Sequence, residues 1–140
     1  MSFNNIEFVI EDGTAILTFN RPDSLNSFNA EMHAEVREAL KEVKKNPEVR
    51  ALVITGNGRG FCAGQDLSDR NVAPGAEAPN LGESIEKNYN PMIRTIRALE
   101  MPVICAVNGV AAVAGAYLAL ACESVFDARS ASCIRAFCRL

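Results

Sequence analysis

Hydrophobic positions recur along this chain with two periods, and the switches between them mark its elements. Residues 6–20, IEFVIEDGTAILTFN, place β-branched and aromatic residues on both sides of Asp12-Gly13, a hairpin signal between two strands. A polar turn follows over 21–29, RPDSLNSFN, with Pro22 and several residues suited to capping a helix. Phe28, Met32, Val36, Leu40 and Val43 then recur every three or four residues and predict an amphipathic helix. It stops at KKNP, with lysines in the last turn and Pro47 just beyond. VRALVIT (49–55) reads as a short buried strand that runs straight into a glycine-rich loop.

Residues 68–82, SDRNVAPGAEAPNLG, have turn chemistry and no apolar period, and predict a long surface loop or lid. From Ser84, helical spacing resumes at Ile85, Tyr89, Ile93 and Ile96, with Pro91 expected to kink or restart the helix. PVICAV (102–107) is a strand turned by Asn108-Gly109, VAGAYLALAC (113–122) a short helix, and SVFDA (124–128) a strand. The order is hairpin, helix, strand, loop, helix, strand, helix, strand. That is an α/β alternation with no internal sequence repeat, and residues 1–140 read as one domain with no linker.

Composition narrows the function classes. Of the 140 residues 49% are hydrophobic and 22% charged, far from the signature of disorder. A net charge of −3 argues against a nucleic-acid partner. The basic cluster Lys41, Lys44 and Lys45 lies where it complements a helix C-terminus. No apolar stretch is long enough to span a bilayer, and MSFNNIEF lacks the marks of a signal peptide. Cys62, Cys105, Cys122, Cys133 and Cys138 are odd in number and never spaced C-x-x-C. Reduced, mostly buried thiols in a cytoplasmic protein are expected, rather than a zinc site or a disulfide framework.

The loop GNGRGFCAGQDL (56–67) packs four glycines into nine residues. Gly58, Gly60 and Ala63 fit the dinucleotide fingerprint G-x-G-x-x-A, but that fingerprint must open a helix, and SDRNVAPGAEAPNLG cannot be that helix. A tight turn with no ligand also fits the loop alone. The second loop, NGVAAVAGAYLA (108–119), tips the balance, because it too follows a strand and is rich in Gly and Ala. Two such strand ends side by side would present bare backbone N–H groups, a means of stabilising an oxyanion formed from a carbonyl.

FCAGQDL together with VICAVNGVAA resembles the enoyl-CoA hydratase/isomerase (crotonase) family, and within it the isomerases of phenylacetate degradation. The likeness extends through RPDSLNSFNAEMHAE, GRGFCAGQDLSDRNV, YNP and ARSAS, and so covers the whole chain. It implies an α/β crotonase-like spiral of ββα units acting on acyl-CoA thioesters. It also implies no metal, no cofactor beyond the coenzyme A of the substrate, and assembly into homotrimers or hexamers. Carried over by position, it places the two oxyanion amides at Gln65 and Ala114. Ala63, Gly64, Asp66 and Leu67 then fall where the adenine and pantetheine lie, and Ser24 and Leu25 beside the CoA diphosphate.

Several positions depart from the family pattern. The two glutamates of its hydratases fall on Tyr117 and Phe137, neither able to move a proton as a carboxylate does. Glu123 reads as a helix-terminal or structural acid. The isomerases' Asp would follow Leu140, so the chain is expected to be cut within the domain, catalytically silent and only marginally folded. Two rivals to an isomerase stand beside it: a CoA-binding remnant without a general base, and an interaction partner of full-length homologues. Val113 stands where the family commonly has glycine, and is strained if that position needs φ > 0. His33 reads as a solvent-facing or hydrogen-bonded helical side chain, and Cys62 as an inert thiol.

Overall fold

The computed structural model describes residues 2–68 and 81–134. Strands β1 (Ile6–Glu11) and β2 (Thr14–Phe19) form the expected antiparallel hairpin, with Asp12 and Gly13 both at positive φ in its turn. β2 then pairs in parallel with β3 (Ala51–Gly56), β3 with β5 (Val103–Val107), and β5 with β7 (Ser124–Asp127). The result is one five-stranded sheet in the order β1-β2-β3-β5-β7. A second, three-stranded parallel sheet consists of β4 (Gly60–Cys62), β6 (Val110–Ala112) and β8 (Ser132–Ile134). Each of its strands follows a strand of the larger sheet within a few residues. Three times, therefore, the chain runs along one sheet and then crosses to the other. This is the crotonase-like spiral, and the repeat lies in topology where residue identity shows none.

Helix α1 (Ala30–Lys45) is capped by Asn29, whose side chain accepts the Met32 N–H at 2.8 Å. Phe28, the first residue of the apolar period, lies ahead of the helix instead of within it. Met32, Val36, Ala39, Leu40 and Val43 are buried against the sheet with Leu17, Phe19, Leu52 and Ile54 in one core. The buried Glu35 carboxylate accepts the N–H groups of Asn4 and Asn5, which ties the chain ahead of β1 to the helix. After a short helical turn, α2 (Leu81–Ser84), a π-helical turn spans Ile85–Tyr89 and α3 (Asn90–Arg97) begins with Pro91 in its first turn. Proline restarts the helix there, as its missing N–H allows. α4 (Ala114–Ala121) follows β6 directly. The surface loop expected over 68–82 falls almost wholly outside the described residues, as do Phe137 and Cys138.

Candidate active site at two strand ends

Two asparagines shape the glycine loop. Asn26, fully buried and left-handed at φ 56°, donates its side-chain amide to the carbonyls of Asn57 (2.9 Å) and Gly60 (2.8 Å). Asn108 donates to the carbonyls of Gly58 (3.0 Å) and Gly60 (3.1 Å), and accepts the Gly56 N–H at 3.0 Å. The loop opens strand β4 rather than a helix, so the phosphate-binding geometry of the dinucleotide fingerprint is absent from it. Past β4 the chain runs parallel to residues 25–28: Ala63 N–H donates to Leu25 O (3.0 Å), Phe28 N–H to Gly64 O (2.7 Å), and Asp66 N–H to Phe28 O (2.9 Å).

The pattern decides the direction of one amide. Gly64 C=O and Gln65 N–H belong to the same planar trans peptide and point oppositely. Because Phe28 holds the carbonyl, the Gln65 N–H is aimed away from Phe28, and it has no acceptor among the described residues.

The second loop repeats this construction. Cys62 of β4 pairs with Ala111 of β6. Counting two residues on from each gives Gly64 and Val113, and three gives Gln65 and Ala114. Gly64 has φ +100° and Val113 φ +51°, so each candidate amide follows a residue in the positive-φ region. Ala114 is the first residue of α4, where an N–H has no intrahelical acceptor, and it too has none among the described residues. The two turns stack: a Cβ placed on Gly64 would lie 3.3 Å from Val113 Cβ and 3.6 Å from Ala114 N. Gly115 abuts the Cys62 carbonyl so closely that no side chain fits. Missing Cβ atoms thus bring two unspent amides to adjacent strand ends, one at the positive pole of a helix.

Side chains around the first amide are held tightly. Gln65 Oε1 accepts from the Tyr89 hydroxyl at 2.7 Å and lies 3.4 Å from His33 Nε2. His33 is buried, and that burial above all lowers its pKa from 6.5 to about 4, so the imidazole is neutral. Asp66 is ion-paired to Arg21 at 2.9 Å and accepts from Ser68. The Ser68 hydrogen bonds first, and then Arg21, hold its carboxyl below the usual range. Burial pushes the Cys62 thiol up to about 12, which makes it inert.

A family model described as enoyl-CoA hydratase/isomerase matches residues 9–140. The chain belongs to the enoyl-CoA hydratase/isomerase family. It is 56% identical over 138 residues to the 1,2-epoxyphenylacetyl-CoA isomerase of Escherichia coli K12, covering 96% of this chain and 53% of that protein. Among solved structures, an enoyl-CoA hydratase from Mycobacterium avium subsp. paratuberculosis aligns with TM-score 0.81 and 32% identity over 97% of this chain and 49% of its own. One from Bacillus anthracis aligns with TM-score 0.84 and 28% identity over 94% and 50%. The chain spans about half the length of the curated relatives it matches.

Against the family's pattern, the structure brings Leu25, Ala63, Gly64, Gln65 and Asp66 onto one strand pair, with Ala114 opposite Gly64. Ser24 ends the short 3-10 turn Pro22–Ser24 before Leu25, and Leu67 is exposed just beyond Asp66. Tyr117, at the first glutamate position of the hydratases, is 44% exposed on α4. Val113 does occupy the positive-φ conformation that its substitution for glycine puts under strain. Of the two alternatives for His33, the solvent-facing one is overturned: the ring faces the core, with Nε2 against Gln65 and no partner on Nδ1. It lies seven residues before the buried Leu40, two helical turns away on the same side, and that spacing was the available signal. Asn26, Asn108 and Tyr89 went unassigned because their contacts with the glycine loop and Gln65, 24 to 52 residues away in sequence, have no local signature.

Among the described residues, no helix is long and apolar enough to cross a membrane, and no group of three or more His, Cys, Asp or Glu could hold a metal. A depression of about 420 Å³ along α1, lined by Arg37, Glu38, Lys41, Glu42 and Lys45, carries mixed charge and includes no residue of either strand-end loop.

Proposed function

We propose that the two strand-end amides, Gln65 N–H and Ala114 N–H, bind the carbonyl oxygen of an acyl-CoA thioester and stabilise the negative charge that builds on it. The pair of unspent amides, each set by a positive-φ residue, carries this reading. As electrons move from the carbon framework toward the thioester oxygen, preorganised donors stabilise the enolate-like state without reorganising; one such donor is worth about 3–4 kcal/mol. Similarity to the E. coli isomerase makes 1,2-epoxyphenylacetyl-CoA the favoured substrate, rearranged to an oxepin-CoA. Ser24, Leu25, Ala63, Gly64, Asp66 and Leu67 are the proposed contacts to the CoA portion. The reading assigns no task to a metal or separate cofactor. It includes the family's homotrimer or hexamer and a reducing, cytoplasmic setting, consistent with the unpaired Cys62, Cys105 and Cys122.

A second reading has one specific observation behind it. Tyr117 replaces the acid position of the hydratases, and Asp66, the carboxylate nearest in sequence to Gln65, is committed to Arg21. On this reading the protein polarises a bound thioester without moving its proton. Calorimetric titration with phenylacetyl-CoA and with free CoA tests the site, and equal affinities would remove it. Turnover of 1,2-epoxyphenylacetyl-CoA then separates the readings: product formation supports the isomerase, and tight binding without product supports the binding module.

A further inference from the structure

Gln65 is gripped from two helices at once. Its Oε1 takes the Tyr89 hydroxyl hydrogen at 2.7 Å, from the π-helical turn ahead of α3, and faces His33 Nε2 of α1 at 3.4 Å. An amide oxygen only accepts, so this contact requires the proton on Nε2 and leaves Nδ1 as a bare lone pair, which matches its lack of a partner. Both lone pairs of Oε1 are then engaged. The two rings that reach it pack on each other and on a third: His33 to Tyr89 edge-on at 4.6 Å, Phe28 to His33 at 4.7 Å, and Phe28 to Tyr89 at 5.9 Å. Phe28 is also the residue whose N–H fixes the 64–65 peptide plane.

From this geometry we infer that Tyr89 and His33 are positioning residues for the Gln65 amide. They touch no thioester themselves. They anchor the Gln65 side chain and the Phe28 ring, and through those two they set the plane that aims the N–H. The need for such a brace is local. Gly64 has no Cβ and sits at φ +100°, so the torsions beside the reacting amide are among the softest in the loop. Tyr89 closes the π-helical turn Ile85–Tyr89, a local widening frequent at functional sites.

The inference rests on the thioester reading, and the experiment separates the two. The probe is phenylacetyl-CoA carrying ¹³C at the thioester carbonyl, with free CoA as control. For the wild type, the bound carbonyl stretch should move to lower wavenumber, and the thioester should bind more tightly than CoA. Tyr89→Phe removes one oxygen. It should lose most of that frequency shift and about fivefold in thioester affinity, the worth of one net hydrogen bond, while CoA affinity stays within about twofold. Gln65→Met keeps the bulk and the backbone N–H but removes Oε1 and both of its contacts, and should lose at least as much. Combining the two should cost no more than Gln65→Met alone, since that variant already lacks the contact with Tyr89. A full wild-type shift in either single variant would overturn the inference while leaving the thioester site standing. No shift in the wild type would overturn the site and the inference together.

Discussion

The two strand-end loops are equivalent in register and opposite in how they are held. The first has glycine at its positive-φ position, two asparagines across its carbonyls (one buried, one half-buried), an ion pair between Arg21 and Asp66, and the Tyr89 and His33 contacts on Gln65. The second has valine at φ 51° and ψ −115°, and no side chain caps the helix it opens. One amide is therefore set by hydrogen bonding around an unstrained turn, and the other by a turn forced through a conformation that β-branched residues avoid. The proposed oxygen site needs both amides aimed together, which makes the second loop the weaker of the pair on that reading. Exchanging or removing these devices tests that comparison directly.

The largest effect should come from making the first loop resemble the second. Gly64→Val adds a β-branched side chain at φ +100°, with its Cβ 3.3 Å from both Ala112 O and Val113 Cβ. Backbone strain and overpacking together should cost about 3–4 kcal/mol. Denaturant unfolding should show that loss and thioester binding should vanish; a change under about 1 kcal/mol would mean that the loop re-forms without strain.

Asn26→Ala comes next. It removes a donor to two carbonyls and the acceptor for Arg21 N–H (2.8 Å), and leaves alanine in the left-handed region. A loss of about 2–3 kcal/mol is expected. Asn108→Ala should then cost more in that background than alone, since both side chains serve Gly60 O. Strict additivity would show that the two brace the loop independently.

How much of this was readable beforehand depends on the range of the interactions. The hairpin, α1, β3, β5, β7 and α4 follow from local periods and caps, and all were expected. β4, β6 and β8 were not identified as strands: GFC, VAA and SCI are three residues each, too short for alternation, and their pairing is wholly non-local. The spiral itself came from resemblance to a family. The loops' shared register rests on the pairing of Cys62 with Ala111, which no residue identity announces. The strain at Val113 was legible as a substitution for glycine, whereas the brace on Gln65 was not, because Tyr89 and His33 reach it from separate helices.

A pH dependence sharpens the first loop's side of the contrast. The His33 pKa falls from 6.5 to about 4 on folding, because burial, and to a lesser degree Arg37, disfavour the cation. Between those values the unfolded chain binds a proton that the folded chain does not. Stability is therefore full above about pH 6.5 and declines as pH falls toward 4, by about 2 kcal/mol at pH 5. Urea unfolding of the wild type and of His33→Leu across this range isolates the contribution, and parallel curves would show that His33 takes up its proton at the same pH folded as unfolded.

Val113→Gly should give the smallest change and the most informative sign. Glycine enters the region of φ 51°, ψ −115° freely, and a side chain held there costs about 1–3 kcal/mol. Against that relief stand the greater freedom of glycine in the unfolded chain, about 0.5–1 kcal/mol, and the lost contacts of a half-buried side chain. The net expectation is a gain of about 1 kcal/mol in unfolding free energy, with tighter binding of phenylacetyl-CoA and unchanged binding of free CoA. Affinity should rise because the peptide between residues 113 and 114 can settle to suit the oxygen rather than the valine methyls. Made together with Tyr89→Phe, the substitution should offset part of that variant's loss, since the two act on different amides of one site. A loss of stability on Val113→Gly alone would show that packing against Gly64 outweighs the strain. The second loop would then be held as firmly as the first, by contact instead of hydrogen bonds.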